Sequence, residues 1–422
     1  MSTEMPDRVV VVGSSVGGIR AAQGLRAQGL TGQVVVVGSE KAAPYDKPPL
    51  SKQLLSGEWN LEDIALVSVE ELQDAGIELR LGVAARGVDV ANRTLALADG
   101  TTLAYDALVI ATGVRPRTLS APRTVPLHTV RELADVSALR AALDSGGGLV
   151  VVGGGFIGAE IASTAAGLGV PTSIVEALPA PFSRVLGDEV GGILARLHAE
   201  NDVEVVSGTG VVALRRGPTG LTEVELGDGR VLSAGAVAVG IGCVPNTEWL
   251  AGSGIPVSDG VSTDEFSRVL DVPGVYAIGD VAHWHDVRTG TSRRVEHWTH
   301  AFQQAQLVAH NLVHPDDLQA QTRAPYFWSD QHGVKIQMVG RRGPADAVDV
   351  VWRDSPGGPR PVALYSDSGR FTGGVTFGAP QVSVRLRRAW EDGVTLTEAR
   401  ALVVGPSEVL PADARMGAPA QP

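Results

Sequence analysis

Uninterrupted aliphatic runs followed by small-residue segments mark the first part of the chain. Residues 9–12, 34–37, 107–111 and 150–152 lack the in-out alternation of a half-exposed strand. Such runs predict strands buried on both faces, as in parallel sheets covered by helices. The Ala-rich segments after Gly18 and Gly158 predict helices, so the order reads strand, turn, helix, strand, twice over. From about residue 323 the pattern changes. Aromatic Tyr326-Phe327-Trp328 leads into strand-like runs at 334–339, 348–352, 362–365 and 371–377, then into helical patterns at 381–391 and 396–402. Residues 411–422 are rich in Pro and Ala and are expected to be disordered.

The turns between the first strands and helices carry the chemistry. Gly13-Ser14-Ser15-Val16-Gly17-Gly18 follows the first Val run, and Gly153-Gly154-Gly155-Phe156-Ile157-Gly158 follows the later one. In such a turn the first glycine allows a tight strand-to-helix reversal and the second lets backbone approach a pyrophosphate. The third lets the helix pack closely, and the helix N-terminus offers free N–H groups to the phosphates. Each turn is answered by an acid closing a later apolar run, Glu40 after residues 34–37 and Glu176 after Ser173-Ile174-Val175. That matches the ribose-binding carboxylate expected ~20 residues on. One such fingerprint is weak; two with their acids imply two dinucleotides on one chain. Ser15 stands where the second glycine is expected, so the first site must accommodate an extra side chain.

Composition narrows the class. At 422 residues the chain suggests about three domains. The net charge of −12 argues against nucleic acid as the main partner. No apolar run is long enough to span a bilayer, and the first residues lack a signal-peptide pattern, so a soluble cytoplasmic protein is expected, with no membrane partner. One cysteine, Cys243, rules out internal disulfides and a CxxC redox pair; a buried, inert thiol is expected there. The nine histidines show no metal-ligand spacing, so no metal is expected.

The most specific motif in the chain is Pro44-Tyr45-Asp46-Lys47-Pro48-Pro49-Leu50-Ser51-Lys52. It is joined by Ala111-Thr112-Gly113-Val114-Arg115-Pro116-Arg117, Gly279-Asp280, Val295-Glu296-His297-Trp298 and Pro325-Tyr326-Phe327-Trp328-Ser329-Asp330-Gln331. In this set and order the chain resembles the FAD-dependent, NADH-linked ferredoxin reductases of bacterial oxygenase systems. The resemblance implies a glutathione-reductase-like α/β fold of two Rossmann-type domains plus a C-terminal α+β domain. The expected boundaries are 1–115 and 241–322 for the FAD-binding domain, 116–240 for the NAD-binding domain and 323–410 for the C-terminal domain.

It also implies roles residue by residue. Gly13, Ser15, Gly17 and Gly18 hold the FAD pyrophosphate, with Arg131 nearby, and Glu40 holds the adenosine ribose. Asp280 binds the ribityl chain, and Trp298 and Trp328 border the flavin ring. Lys47, which replaces the family's usual Arg, belongs with Thr112 and Gly113 to the same cofactor-binding set. Gly153, Gly155, Ile157 and Gly158 receive NADH. Lys52 and Glu160 are the catalytic pair, Lys52 supplying a cation for the reduced flavin and Glu160 lying near the nicotinamide. Read alone, Glu160 can equally serve its helix dipole. Glu176, with no cation following until Arg184, favours NADH over NADPH.

The implied partner is an acidic iron–sulfur ferredoxin feeding a cytochrome P450 or an oxygenase. Candidate basic docking clusters are Arg385, Arg387 and Arg388; Arg341 and Arg342; and Arg293 and Arg294. Two alternatives remain: an NADH oxidase or quinone reductase of the same fold, and a flavin-based, NADH-responsive binding protein.

Overall fold

The computed structural model describes residues 5–355 and 358–404. The expectation of a disordered 411–422 segment lies outside the described residues. Two compact units emerge. Among the described residues, one comprises 5–49, 59–115 and 243–322; the other comprises 50–58, 116–242, 323–355 and 358–404.

The first unit is built on a parallel sheet ordered Val275–Ala277, Ala107–Ile110, Arg8–Val12, Gln33–Gly38, Ile77–Leu81. Side chains alternate across it, which explains why all-aliphatic strands are needed. Val9 and Val11 face the helices Val16–Ala27 and Trp298–Val313, packing with Ile19, Leu25, Ala305 and Val308. Val10 and Val12 face Leu95, Leu97 and Leu103 of a small antiparallel sheet. The two helices touch where Gly24 has no side chain, since a Cβ there would lie 2.8 Å from that of Ala309.

The second unit repeats the plan with the parallel order Val203–Ser207, Thr172–Glu176, Leu149–Val152, Ala236–Val239. Its C-terminal part is a five-stranded antiparallel sheet, Tyr326–Gln331, Val334–Gly340, Arg370–Phe377, Arg360–Asp367, Ala347–Arg353 in spatial order. Val362, Leu364 and Phe371 point to the helices Pro380–Asp392 and Leu396–Val404. Ile336, Met338 and Tyr365 point the other way, onto Val190, Ile193 and Leu197 of the helix Asp188–Ala199. Tyr365 is fully buried, and its hydroxyl donates to the Leu186 carbonyl at 2.7 Å. The pattern change near residue 323 therefore marks a real change from parallel to antiparallel architecture.

Residues 50–58 are a short excursion between the units. They lie among first-unit sequence but pack with the second unit. The Thr164 hydroxyl donates to the Ser51 carbonyl, and the Arg140 guanidinium donates to the carbonyls of Leu55 and Ser56, each at 2.8 Å.

Candidate functional site

Both glycine turns have the geometry their sequences require. Gly13 (φ +127°) and Gly153 (φ +103°) occupy backbone positions open to glycine. A Cβ on Gly18 would lie 1.8 Å from the Gly13 carbonyl oxygen, and one on Gly158 would lie 2.0 Å from that of Gly153. These are the tight helix-to-turn contacts of the third glycine. Gly17 is different: a Cβ there would meet the Ile278 side chain and the Ala111 methyl at ordinary distance. A Cβ on Gly155 would meet the Gly240 carbonyl oxygen at an ordinary 3.8 Å, so this position is less crowded than Gly153 or Gly158. Ser15 caps the helix Val16–Ala27 without a side-chain capping bond.

In the first unit Glu40 closes the second strand run beside a small cavity lined by Ser14, Ser15, Glu40, Pro44, Tyr45 and Lys47. The Lys47 ammonium lies 2.8 Å from Glu40 Oε1, and the Tyr45 hydroxyl donates to Glu40 Oε2. Lys47 meets this carboxylate through an ammonium, which lacks the bidentate geometry of the arginine usual at this position. An acid, two small hydroxyls and an apolar wall at the open end of a glycine turn fit the adenosine end of a dinucleotide. Thr112 and Gly113 end the neighbouring strand, clasped to Asn246. The Thr112 hydroxyl donates to the Asn246 carbonyl and the Asn246 amide donates back, both at 2.9 Å. Asp280 sits in the short turn Gly279–Val281, which is pinned by a 2.8 Å bond from the Gly279 N–H to Gln304. Trp298 donates from Nε1 to Asp46 at 2.6 Å and stacks on Phe302.

In the second unit Glu176 accepts from the Gly154 N–H at 2.8 Å and the Leu178 N–H at 2.9 Å. A carboxylate offers about four lone-pair positions, so two remain for ribose hydroxyls. Phe156 turns inward against Phe182 and Phe327, leaving Ile157 42% exposed as an apolar face at the helix start. Trp328 stacks beside Tyr326, with the Lys335 ammonium 5.9 Å from its ring centre. Arg131 precedes the helix Leu133–Asp144, its N–H donating to Asp135.

Glu160 resolves the reading left open by the sequence. It lies beyond the first turn of the helix Phe156–Gly167 and is 3% exposed. Its Oε2 accepts from the Lys52 ammonium at 2.9 Å and from the Ser51 hydroxyl at 2.5 Å; its Oε1 accepts from the Ser329 hydroxyl at 2.8 Å. A buried ion pair with both carboxylate oxygens satisfied is the partner of Lys52, not a dipole complement on the surface. Ser51 and Ser329 were not singled out by sequence reasoning. The available signal was their place inside the Pro44–Lys52 and Pro325–Gln331 motifs.

Two expectations need correction. Cys243 is half-buried rather than buried, at the start of the strand Cys243–Pro245. Desolvation, reinforced by the nearby Glu296 carboxylate, pushes its thiol up to about 12, which favours the protonated form at neutral pH. Thiol-specific reagents therefore label native protein very slowly at pH 8 and quickly only once it is unfolded, which a timed titration with a chromogenic disulfide will check. The Arg293–Arg294 cluster is also no free basic face. Arg293 pairs with Asp286 at 2.8 Å, and Arg294, 9% exposed, pairs with Asp259 and Glu296 at 3.0 and 2.8 Å. Arg385 and Arg388, by contrast, are exposed on the helix Pro380–Asp392 beside Val384, itself 57% exposed. Among the described residues no cluster of three or more His, Cys, Asp or Glu is placed to hold a metal, and no helix is long and apolar enough to cross a membrane.

Two parallel sheets, each ending in a glycine turn with an acid beside it, define a two-dinucleotide oxidoreductase. Residues 7–305 match the family model described as pyridine nucleotide-disulphide oxidoreductase, and residues 326–404 match the reductase C-terminal model. The chain belongs to the pyridine nucleotide-disulphide oxidoreductase family. It is 37% identical over 368 residues to the ferredoxin–NAD(+) reductase component of the anthranilate 1,2-dioxygenase system of Burkholderia cepacia, covering 86% of this chain and 89% of that protein. It is 33% identical over 341 residues to putidaredoxin reductase of Pseudomonas putida, covering 79% and 80% of the two chains. The crystal structure of the covalent putidaredoxin reductase–putidaredoxin complex superposes with a TM-score of 0.87 at 29% identity, covering 94% of this chain and 98% of that one.

Proposed function

We propose that this protein is an NADH-dependent, FAD-containing ferredoxin reductase that serves a cytochrome P450 or dioxygenase system. The observation that carries the reading is the pair of turn-and-acid sites on one chain. The ferredoxin reductases among its relatives support the acceptor. The lack of any cysteine near residues 40–50 argues against sulfur-dependent oxidase or peroxidase chemistry.

The domain boundaries set out from the sequence go with this reading, as does a cytoplasmic location. Gly13, Ser15, Gly17 and Gly18 hold the FAD pyrophosphate, aided by Arg131, and Glu40 binds its ribose, steered by Lys47 and Tyr45. Thr112, Gly113 and Asp280 hold the rest of the cofactor, and Trp298 and Trp328 shield its ring. Gly153, Gly155 and Gly158 receive the NADH pyrophosphate, Ile157 offers an apolar face to the nicotinamide, and Glu176 binds the ribose. Bound FAD supplies the conversion of one hydride from NADH into two single electrons. One NADH thus reduces two ferredoxins, with NAD⁺ and a proton released. Lys52 holds a positive charge for the flavin, and Glu160 fixes that charge in place.

Glu176 sets the choice of donor. Its carboxylate accepts from a ribose 2′-hydroxyl and repels a 2′-phosphate. Glu176→Arg is expected to lower kcat/KM for NADH by about tenfold or more and raise it for NADPH, one misplaced charge interaction being worth over ~1.4 kcal/mol. Steady-state kinetics with both nucleotides checks this; an unchanged preference removes Glu176 from the role.

Docking follows from charge. Arg385 and Arg388, flanking exposed Val384, form a basic face for an acidic ferredoxin. Ferredoxin-dependent cytochrome c reduction is expected to fall as salt rises, and to lose its salt dependence in Arg385→Glu/Arg388→Glu. Turnover with small dyes, which need no docking face, stays level. Ferredoxin turnover indifferent to salt rejects this surface.

A further inference from the structure

We infer that Ser329, on the first strand of the C-terminal sheet, is a positioning residue for hydride transfer, acting through Glu160 to fix the place of the Lys52 charge. The inference rests on the roles proposed above for Lys52 and Glu160.

The Lys52 side chain is 11% exposed, and its charged end is anchored by a carboxylate. The residue caps a four-residue helix, Gln53–Ser56, whose backbone is clamped by Thr164 and Arg140. Those clamps fix the peptide but leave a long side chain with four rotatable bonds. Among the described residues its ammonium has Glu160 as its hydrogen-bond partner. The position of the cation therefore depends on the position of one carboxylate.

That carboxylate has two unequal sides. Oε2 accepts from both Lys52 and Ser51, which belong to the same clamped segment. Oε1 accepts from Ser329, which lies on a separate strand and is fully buried. The terminal torsion of a glutamate is broad, so two bonds on one oxygen do not stop the group from swinging. A third bond on the other oxygen does. Ser329 is itself oriented: the Gln331 side-chain amide donates to Ser329 Oγ at 3.0 Å, so the serine hydroxyl hydrogen points away from Gln331, toward Glu160. Gln331 is 1% exposed, so these bonds are made away from bulk solvent.

A merely structural serine and a positioning serine differ in what moves when the hydroxyl is lost. In FAD-loaded Ser329→Ala, the rate of flavin reduction by saturating NADH is expected to fall about tenfold while the NADH KM stays within about twofold. The flavin midpoint potential is expected to drop by ~30 mV, the equivalent of a tenfold loss for a two-electron couple. Ser329→Cys, a near-isostere with a weak donor, is expected to recover most of both. Should the alanine variant fail to retain flavin, Gln331→Met carries the test, with both effects expected in the same direction at about threefold. Glu160→Gln is the control for the underlying reading. If Glu160→Gln shifts potential and rate but Ser329→Ala leaves both at wild-type values, the role of Ser329 is overturned and the Lys52–Glu160 reading stands. If neither substitution moves either quantity, both fall.

Discussion

Lys52→Met is expected to slow the reduction of bound flavin by NADH about 100-fold, the usual scale for removing one preorganised charge from a reacting centre. It is also expected to destabilise the protein. Lys52 and Glu160 have side chains only 11% and 4% exposed, so removing the cation leaves a buried carboxylate held by two serine hydroxyls. Breaking such a pair costs on the order of 3 kcal/mol. The two effects have different origins and can be separated. The double variant Lys52→Met/Glu160→Gln removes the orphaned charge and should regain most of the stability, while the flavin still lacks its cation and the rate stays low. Stopped-flow reduction and thermal unfolding of all three variants check this. A double variant that recovers the rate shows that the lysine acts through stability alone.

The second large effect comes from the third glycines. Gly18→Ala places a methyl 1.8 Å from the Gly13 carbonyl oxygen, and Gly158→Ala places one 2.0 Å from that of Gly153. Neither neighbour is a flexible side-chain end, so in each case helix and turn must separate. The two clashes are nearly identical, yet their consequences should differ. Gly18→Ala is expected to yield protein without flavin, whereas Gly158→Ala is expected to stay yellow and be bleached normally by dithionite but hardly at all by NADH. Absorbance spectra before and after each reductant distinguish them. A Gly158→Ala protein reduced by NADH at the wild-type rate would place the nicotinamide nucleotide elsewhere.

Much of this was legible in the sequence because it is local. The Val runs, the glycines and the acids at the strand ends lie within single strand–turn–helix units, where period and turn chemistry speak directly. The strands of the C-terminal part were legible for the same reason, each being a short apolar run such as 371–377, whereas their antiparallel order was not. What the sequence hid depends on distant pairings. That residues 50–58 pack with the second unit follows from Thr164 and Arg140, and no local pattern announces it. The environment of Glu160 joins side chains from three separate segments, so its burial was invisible and the dipole reading stayed open. Arg293 and Arg294 looked like a basic patch because their partners Asp286 and Asp259 lie across turns and strands. Charge runs are read poorly when fold topology neutralises them.

The central claim is that one chain binds FAD and NADH together and moves electrons between them. The most direct test is an anaerobic titration with NADH of protein incubated with FAD and freed of excess. The account predicts a yellow protein bleached by about one equivalent of NADH per flavin, with the colour returning on addition of an oxidised ferredoxin. Protein that stays colourless after exposure to FAD, or a bound flavin that NADH leaves oxidised, would contradict it.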